Sequence, residues 1–126
     1  MNNRDLGFFK GRLRSLKFAI KGAWLLITSE HSIMVQVFIG ISVSILGWIL
    51  DISSLEWILQ IFAIGMVLVA ESLNTAIEKL CDFTHPEYHK KIGFIKDISA
   101  GGVTFAAMSA IIIGLIIYLP KILWFS

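Results

Sequence analysis

Residues 57–82 read Trp57-Ile-Leu-Gln60-Ile-Phe-Ala-Ile-Gly65-Met-Val-Leu-Val-Ala70-Glu71-Ser-Leu-Asn74-Thr75-Ala-Ile-Glu78-Lys-Leu-Cys-Asp82. The first half is apolar except for Gln60. The second half keeps a helical period but carries charge, and one helix running through both halves would be wrapped in hydrocarbon at one end and wet at the other. At 100° per residue, positions 71, 74, 75, 78 and 82 fall within one arc and form a polar stripe.

Two further apolar runs flank this one. Ile33 to Leu50 holds no charge, with Gln36 its only strongly polar side chain, and Ala100 to Leu119 holds no charge at all. Each is close to the roughly 20 residues that cross about 30 Å of hydrocarbon. The whole chain has 126 residues, 56% apolar and 16% charged. So few charges would cover a soluble domain of this size poorly. The expectation is a single all-α membrane domain over residues 1–126, with spans at 33–50, 55–80 and 99–119. Trp48, Trp57, Tyr118 and Trp124 stand near span ends, as interfacial aromatics do. The first apolar run begins late and no small-x-small cleavage site follows it, so it reads as a retained span rather than a signal peptide.

Charge placement sets the expected orientation. Residues 1–31 carry Arg4, Lys10, Arg12, Arg14, Lys17 and Lys21, whereas the loop at 51–56 carries only Asp51 and Glu56. Residues 79–98 carry Lys79, Lys90, Lys91 and Lys96, and the tail carries Lys121. By the positive-inside rule the N-terminus and second loop lie in the cytoplasm and the C-terminus outside. A net charge of +2 gives no reason to expect a nucleic-acid partner. The single cysteine, Cys81, excludes an internal disulfide framework and a cysteine-based zinc cluster.

Two shorter segments read as surface helices. From Arg12 to Ile27, Arg14, Lys17 and Lys21 alternate with Leu13, Leu16, Phe18, Ile20 and Trp24, which suits a helix lying in the cytoplasmic headgroup layer. Residues 1–31 are assigned to this cytoplasmic amphipathic part. A second helix is expected to start at Thr84-His85-Pro86-Glu87, where Thr followed three residues later by Glu makes a capping-box pattern. Tyr88, Ile92 and Ile95 would share its face. In the third span Gly102, Ala106, Ala110 and Gly114 recur every fourth residue. That spacing lets helices approach closely in lipid, within one chain or between chains.

Three carboxylates, an amide and a hydroxyl on one helix face call for an explanation. Like charges one or two turns apart repel unless a cation or protons sit among them. An oxygen-rich set without thiol or imidazole suits Mg²⁺. Counting about 1.5 Å per residue from Leu55 puts Glu71 roughly 24 Å along the helix and Glu78 roughly 34 Å. Glu71 then lies at the depth of a lipid headgroup hydroxyl, and Glu78 where a metal-bound phosphate compound arrives from water. A helix end emerging into water accounts for Glu78 and Asp82 but poorly for Glu71 and Asn74. Glu30 and the pair Lys96-Asp97 are the other charges near this level. The chain has no Walker-type phosphate loop and no Gly-x-Gly-x-x-Gly.

These pieces resemble the prokaryotic diacylglycerol kinase family, small three-span lipid kinases that include undecaprenol kinases. The matching residues are Glu71-Ser-Leu-Asn74-Thr-Ala-Ile-Glu78 with Asp82 following, then Glu87-Tyr88-His89, then Lys96-Asp97-Ile-Ser-Ala-Gly-Gly-Val103. Lys21-Gly22 and Glu30 match upstream, so the resemblance covers roughly residues 12–118. It implies a homotrimer in the bacterial inner membrane, with its site at the cytoplasmic face, that uses Mg²⁺ and ATP to phosphorylate a lipid alcohol. It further implies Glu71 as catalytic base and Asn74 as its polar partner in the site. Glu30 and Glu78 would be the metal-binding carboxylates, and Lys96, Asp97, Glu87, Tyr88 and His89 the nucleotide contacts. The run Lys96-Asp-Ile-Ser-Ala-Gly-Gly-Val is closer to the undecaprenol kinase form, which favours a polyprenol over diacylglycerol. Phe18 stands where some members have Tyr, and no basic residue aligns with a substrate-contacting Arg near the start. The competing expectation is a non-catalytic membrane subunit whose polar stripe serves packing alone.

Overall fold

The structure, a computed structural model, describes residues 2–124, with only the backbone of Trp124. It contains four helices: α1 (Asn3–Ser29), α2 (His31–Ile49), α3 (Ser54–Thr84) and α4 (Lys90–Trp124). Among the described residues there is no strand. The helices α2, α3 and α4 are long and apolar enough to cross a membrane. Most of their large apolar side chains are exposed, Phe38 at 72% and Phe62 at 73% among them, an arrangement suited to lipid and costly in water. The expected all-α plan with three spans is therefore the one found. The Trp124 side chain, expected at the interface, lies outside the described residues.

The α1 helix starts where Asn2 Oδ1 accepts the Asp5 N–H at 2.9 Å, an ordinary N-cap. It runs longer than the expected Arg12–Ile27 and has no buried residue. A single extended residue, Glu30 (φ −105°), separates it from α2. The Glu30 N–H still closes on the Leu26 carbonyl at 3.1 Å, and its own carbonyl accepts the Met34 N–H at 3.0 Å. One residue thus makes the corner between surface helix and span, with its backbone held on both sides.

The turn between α2 and α3 is compact. Asp51 adopts φ 52°, a left-handed position that Asp tolerates. The Ile52 N–H reaches the Gly47 carbonyl at 3.1 Å and the Asp51 N–H the Trp48 carbonyl at 3.3 Å, the Schellman arrangement that closes a helix. Ser53 then caps α3 through a reciprocal box: its Oγ accepts the Glu56 N–H at 3.2 Å and Glu56 Oε1 accepts the Ser53 N–H at 2.9 Å. Here sits a small core of Ile52, Ile117 and Tyr118, with Val43, Leu50, Trp57 and Ile113 against it. Tyr118, expected at the interface, is instead buried. Its hydroxyl donates toward the Val43 carbonyl at 3.1 Å and toward Gln60 Oε1, a better outcome than leaving a hydroxyl unpaired in hydrocarbon. Trp48 is 79% exposed, as an interfacial side chain would be. Lys121 Nζ closes the same end against Glu56 at 2.8 and 3.0 Å.

Two expectations need correction. Thr84 does not open a helix: its hydroxyl bonds back to the Leu80 carbonyl at 2.9 Å as α3 ends. The residues after 89 form no separate surface helix, because they are the first turns of α4, which runs unbroken into the third span. The Gly102–Gly114 ladder makes only part of its expected close contact within the chain. Ala106 is buried, but a Cβ at Gly102 or Gly114 would meet nothing within 4 Å. Ala110 and Gly114 line an apolar groove of about 450 Å³ between α2, α3 and α4. The close approaches occur on α2: a Cβ at Gly40 would lie 3.1 Å from Ile64 and one at Gly47 2.8 Å from the Tyr118 hydroxyl.

Candidate active site

Because α3 is continuous over 54–84, the polar stripe is realised as one helix face. Its environment grades along the axis. Glu71 and Asn74 are half-buried, Thr75 is buried, and Glu78 and Asp82 are exposed. Asn74 Nδ2 donates to Glu78 Oε1 at 3.1 Å, a one-turn link that turns the Glu78 carboxylate toward the stripe. The other end of that amide, Oδ1, is buried and has no partner. An acceptor left open about one helical turn from Glu71 can take a hydrogen bond from a donor that enters there.

Two ion pairs bring other segments to this end of α3. Lys79 Nζ lies 3.0 Å from Glu30 Oε1, so the corner residue between α1 and α2 is tied to the residue that follows Glu78 on α3. Lys96 Nζ donates to Asp82 Oδ1 at 2.6 Å, joining the first turns of α4 to the foot of the stripe. Glu71, Asn74, Glu78, Glu30 and Lys96 therefore gather at one end of the bundle. Asp97 is exposed and points about 100° around α4 from Lys96.

Glu87, Tyr88 and His89 occupy the connection between α3 and α4. The His85 Nδ1 donates to the Glu87 carbonyl at 2.6 Å. His89 Nδ1 accepts the Lys91 N–H at 3.0 Å, and its carbonyl accepts the Gly93 N–H at 2.9 Å, so His89 caps α4 in the place foreseen for Thr84. Its ring meets that of His85 edge to face, with centroids 5.3 Å apart. Tyr88 is 88% exposed. Its ring edge lies over Gly93, where a Cβ would come within 3.4 Å. The expected nucleotide contacts thus include a shaped, exposed turn beside the ion-paired end of the bundle.

For a metal, the chain offers Glu30 and Glu78 as single carboxylates at the same end of the bundle rather than a cage. Among the described residues no three His, Cys, Asp or Glu side chains converge on one point. Mg²⁺ commonly takes one or two carboxylates and completes its shell with water and substrate phosphates, so Glu30 and Glu78 suit it. That Glu30 already holds an ammonium shows that its carboxylate accepts a cation where it stands. Neither Lys79 nor the Asp82 contact of Lys96 carries a local signal in the sequence, since each partner is distant along the chain.

Residues 17–118 match the profile of the family described as prokaryotic diacylglycerol kinase. The chain belongs to that family. This family member is similar to the undecaprenol kinase of Bacillus subtilis (strain 168), 34% identical over 115 residues that cover 91% of this chain and 90% of the relative. It is also similar to the diacylglycerol kinase of Synechocystis sp., 29% identical over 112 residues, covering 88% of this chain and 64% of the relative. The diacylglycerol kinase of Escherichia coli (strain K12) is 28% identical over 115 residues, covering 89% and 91%. The protein is accordingly a membrane lipid kinase, an enzyme that needs a phosphoryl donor, and the non-catalytic expectation is set aside.

Proposed function

We propose that the protein transfers the γ-phosphoryl group of ATP to the hydroxyl of a membrane lipid alcohol, undecaprenol in preference to diacylglycerol, at the cytoplasmic face of the bacterial inner membrane. The observation that carries this is the graded stripe on α3. Glu71 is half-buried and Glu78 wet, with Lys96 brought to the same end by Asp82. A lipid hydroxyl and a soluble phosphate donor meet only at such a boundary.

In this mechanism the Glu71 carboxylate takes the proton of the lipid hydroxyl as its oxygen attacks the γ-phosphorus. The bond to the β-bridging oxygen breaks and ADP departs. Asn74 is the polar partner in the site, and its Nδ2 keeps Glu78 turned inward. Lys96 exchanges Asp82 for phosphate oxygens, a step that costs little because both partners are partly wet. Glu87, Tyr88, His89 and Asp97 contact the nucleotide. When bound at Glu30 and Glu78, Mg²⁺ neutralises charge on the phosphates. The backbones of both residues are held without it, Glu30 at the extended corner between α1 and α2 and Glu78 within α3.

The polyprenol preference is supported by the Lys96–Val103 run and by the likeness to an undecaprenol kinase. Purified protein in vesicles given both lipids with Mg²⁺-ATP should phosphorylate undecaprenol faster. A faster rate on diacylglycerol would reverse the preference, and transfer to neither would rule out these alcohols as substrates.

The orientation rests on the Lys and Arg count of each loop. A reporter inserted near Thr84 should face the cytoplasm and one fused to the C-terminus should face outward. Both reporters on the same side would refute three spans. We further propose a homotrimer, since three spans enclose little volume and the exposed Gly102 leaves room for another chain.

A further inference from the structure

Lys79 has no part in the mechanism above. It stands one residue beyond Glu78 on α3, and 68% of its side chain is exposed. Its ammonium nevertheless reaches across to the Glu30 carboxylate at 3.0 Å. We propose that Lys79 is a built-in competitor for the divalent cation: its ammonium occupies Glu30 in the resting protein and must swing away before a metal ion can bind there. The proposal rests on Glu30 being a metal ligand.

The two partners are unequally free. The Glu30 carboxylate is 24% exposed and grows from a residue whose backbone N–H and carbonyl are both bonded, to Leu26 and Met34. Lys79 hangs from a flexible four-carbon stem in water, a compact charge that leaves one partner for another readily. A divalent ion and an ammonium cannot share one carboxylate at this distance without strong repulsion, so exchange moves the lysine and leaves the carboxylate. An arginine would grip Glu30 with two parallel bonds and yield less easily. The Lys79–Glu30 pair thereby stays neutral, keeps the α1–α2 corner against α3, and gives way to a doubly charged ion more readily than to a monovalent one.

The test is Mn²⁺ alone, titrated into the purified full-length protein, with the free ion counted by its paramagnetic resonance signal. Lys79→Met and Lys79→Gln should each tighten Mn²⁺ binding about fivefold, the scale of one exposed ion pair, and Glu30→Gln should weaken it. Adding Lys79→Met to Glu30→Gln should bring no gain, because the competitor has lost its carboxylate. A gain of the same size in that background would overturn the proposal and leave Lys79 as a general source of repulsion. Unchanged or weaker binding in both lysine variants, with Glu30→Gln still weakening it, would overturn the proposal and leave Glu30 as a ligand. Unaltered binding in Glu30→Gln would overturn the ligand assignment, and the proposal with it.

Discussion

Glu71→Gln is expected to slow lipid phosphorylation by about 10²–10⁴-fold, the usual contribution of a positioned general base, while nucleotide binding stays near the native level. The amide matches the carboxylate in shape and keeps the α3 packing, but it cannot take a proton from the lipid hydroxyl. Glu78→Gln should behave differently. It removes charge at the wet end of the stripe, so the defect should shrink as Mg²⁺ is raised. The measurement is the phosphorylation rate against Mg²⁺ concentration for both variants, with assembly checked. Rescue of Glu71→Gln but not of Glu78→Gln would exchange the two roles, and near-native rates in both would leave the stripe structural. Chains carrying one substitution mixed with chains carrying the other should regain activity if each site is shared between neighbours. No recovery in proven mixed assemblies would confine each site to one chain.

Gly47→Ala is expected to destabilise the bundle by about 1–3 kcal/mol, the range for forced overpacking, although alanine favours a helix by about 1 kcal/mol over glycine. The added Cβ would lie 2.8 Å from the Tyr118 hydroxyl, 2.9 Å from Ile52 Cδ1 and 3.3 Å from Trp57. Tyr118 cannot yield cheaply, because its hydroxyl is tied to Val43 and Gln60 on two other helices. The same exchange at Gly65, where a Cβ meets nothing within 4 Å, should cost nothing. The unfolding midpoint in mild detergent reports both. Tyr118→Phe should recover part of the Gly47→Ala loss, since it removes the nearest atom. An equal loss at both glycines, or no recovery, would show that the Tyr118 contact is not the cause.

The spans were legible because hydrocarbon thickness and helical rise leave few alternatives for long uncharged runs. The stripe was legible because a continuous helix turns spacing directly into a face. The helix starts were harder. Both Ser53-x-x-Glu56 and Thr84-x-x-Glu87 fit the capping-box pattern, and only the first caps a helix. The apolar run beginning at Trp57 gives the first a helix to start, whereas Tyr88-His-Lys-Lys does not follow the second with one. Contacts between distant residues were not legible at all. Periodicity sees that Tyr118 is aromatic and near a span end, but not that Gly47 leaves room for its hydroxyl. It sees Glu30 and Glu78, but not the lysine that links the first to the neighbourhood of the second. The small-residue ladder was visible while its use was not, because the spacing says nothing about which helix stands opposite.

The ties between helices are unlike at the two ends of the bundle. At the end that holds the α2–α3 turn, Tyr118 and Gln60 are bonded in a dry setting, and Glu56 and Lys121 are each only 24% exposed. At the other end the cross-links are Lys79 to Glu30 and Lys96 to Asp82, each with one partner more than 60% exposed. Salt screens exposed pairs far more than enclosed ones. The molecule is thus hinged like a pair of tongs. Thermal splaying of the helices should then be smallest at the sealed tip and greatest at the jaws, where the proposed site would admit a lipid sliding in sideways and a nucleotide arriving from water. Rising ionic strength would widen the jaws while leaving the hinge pin in place.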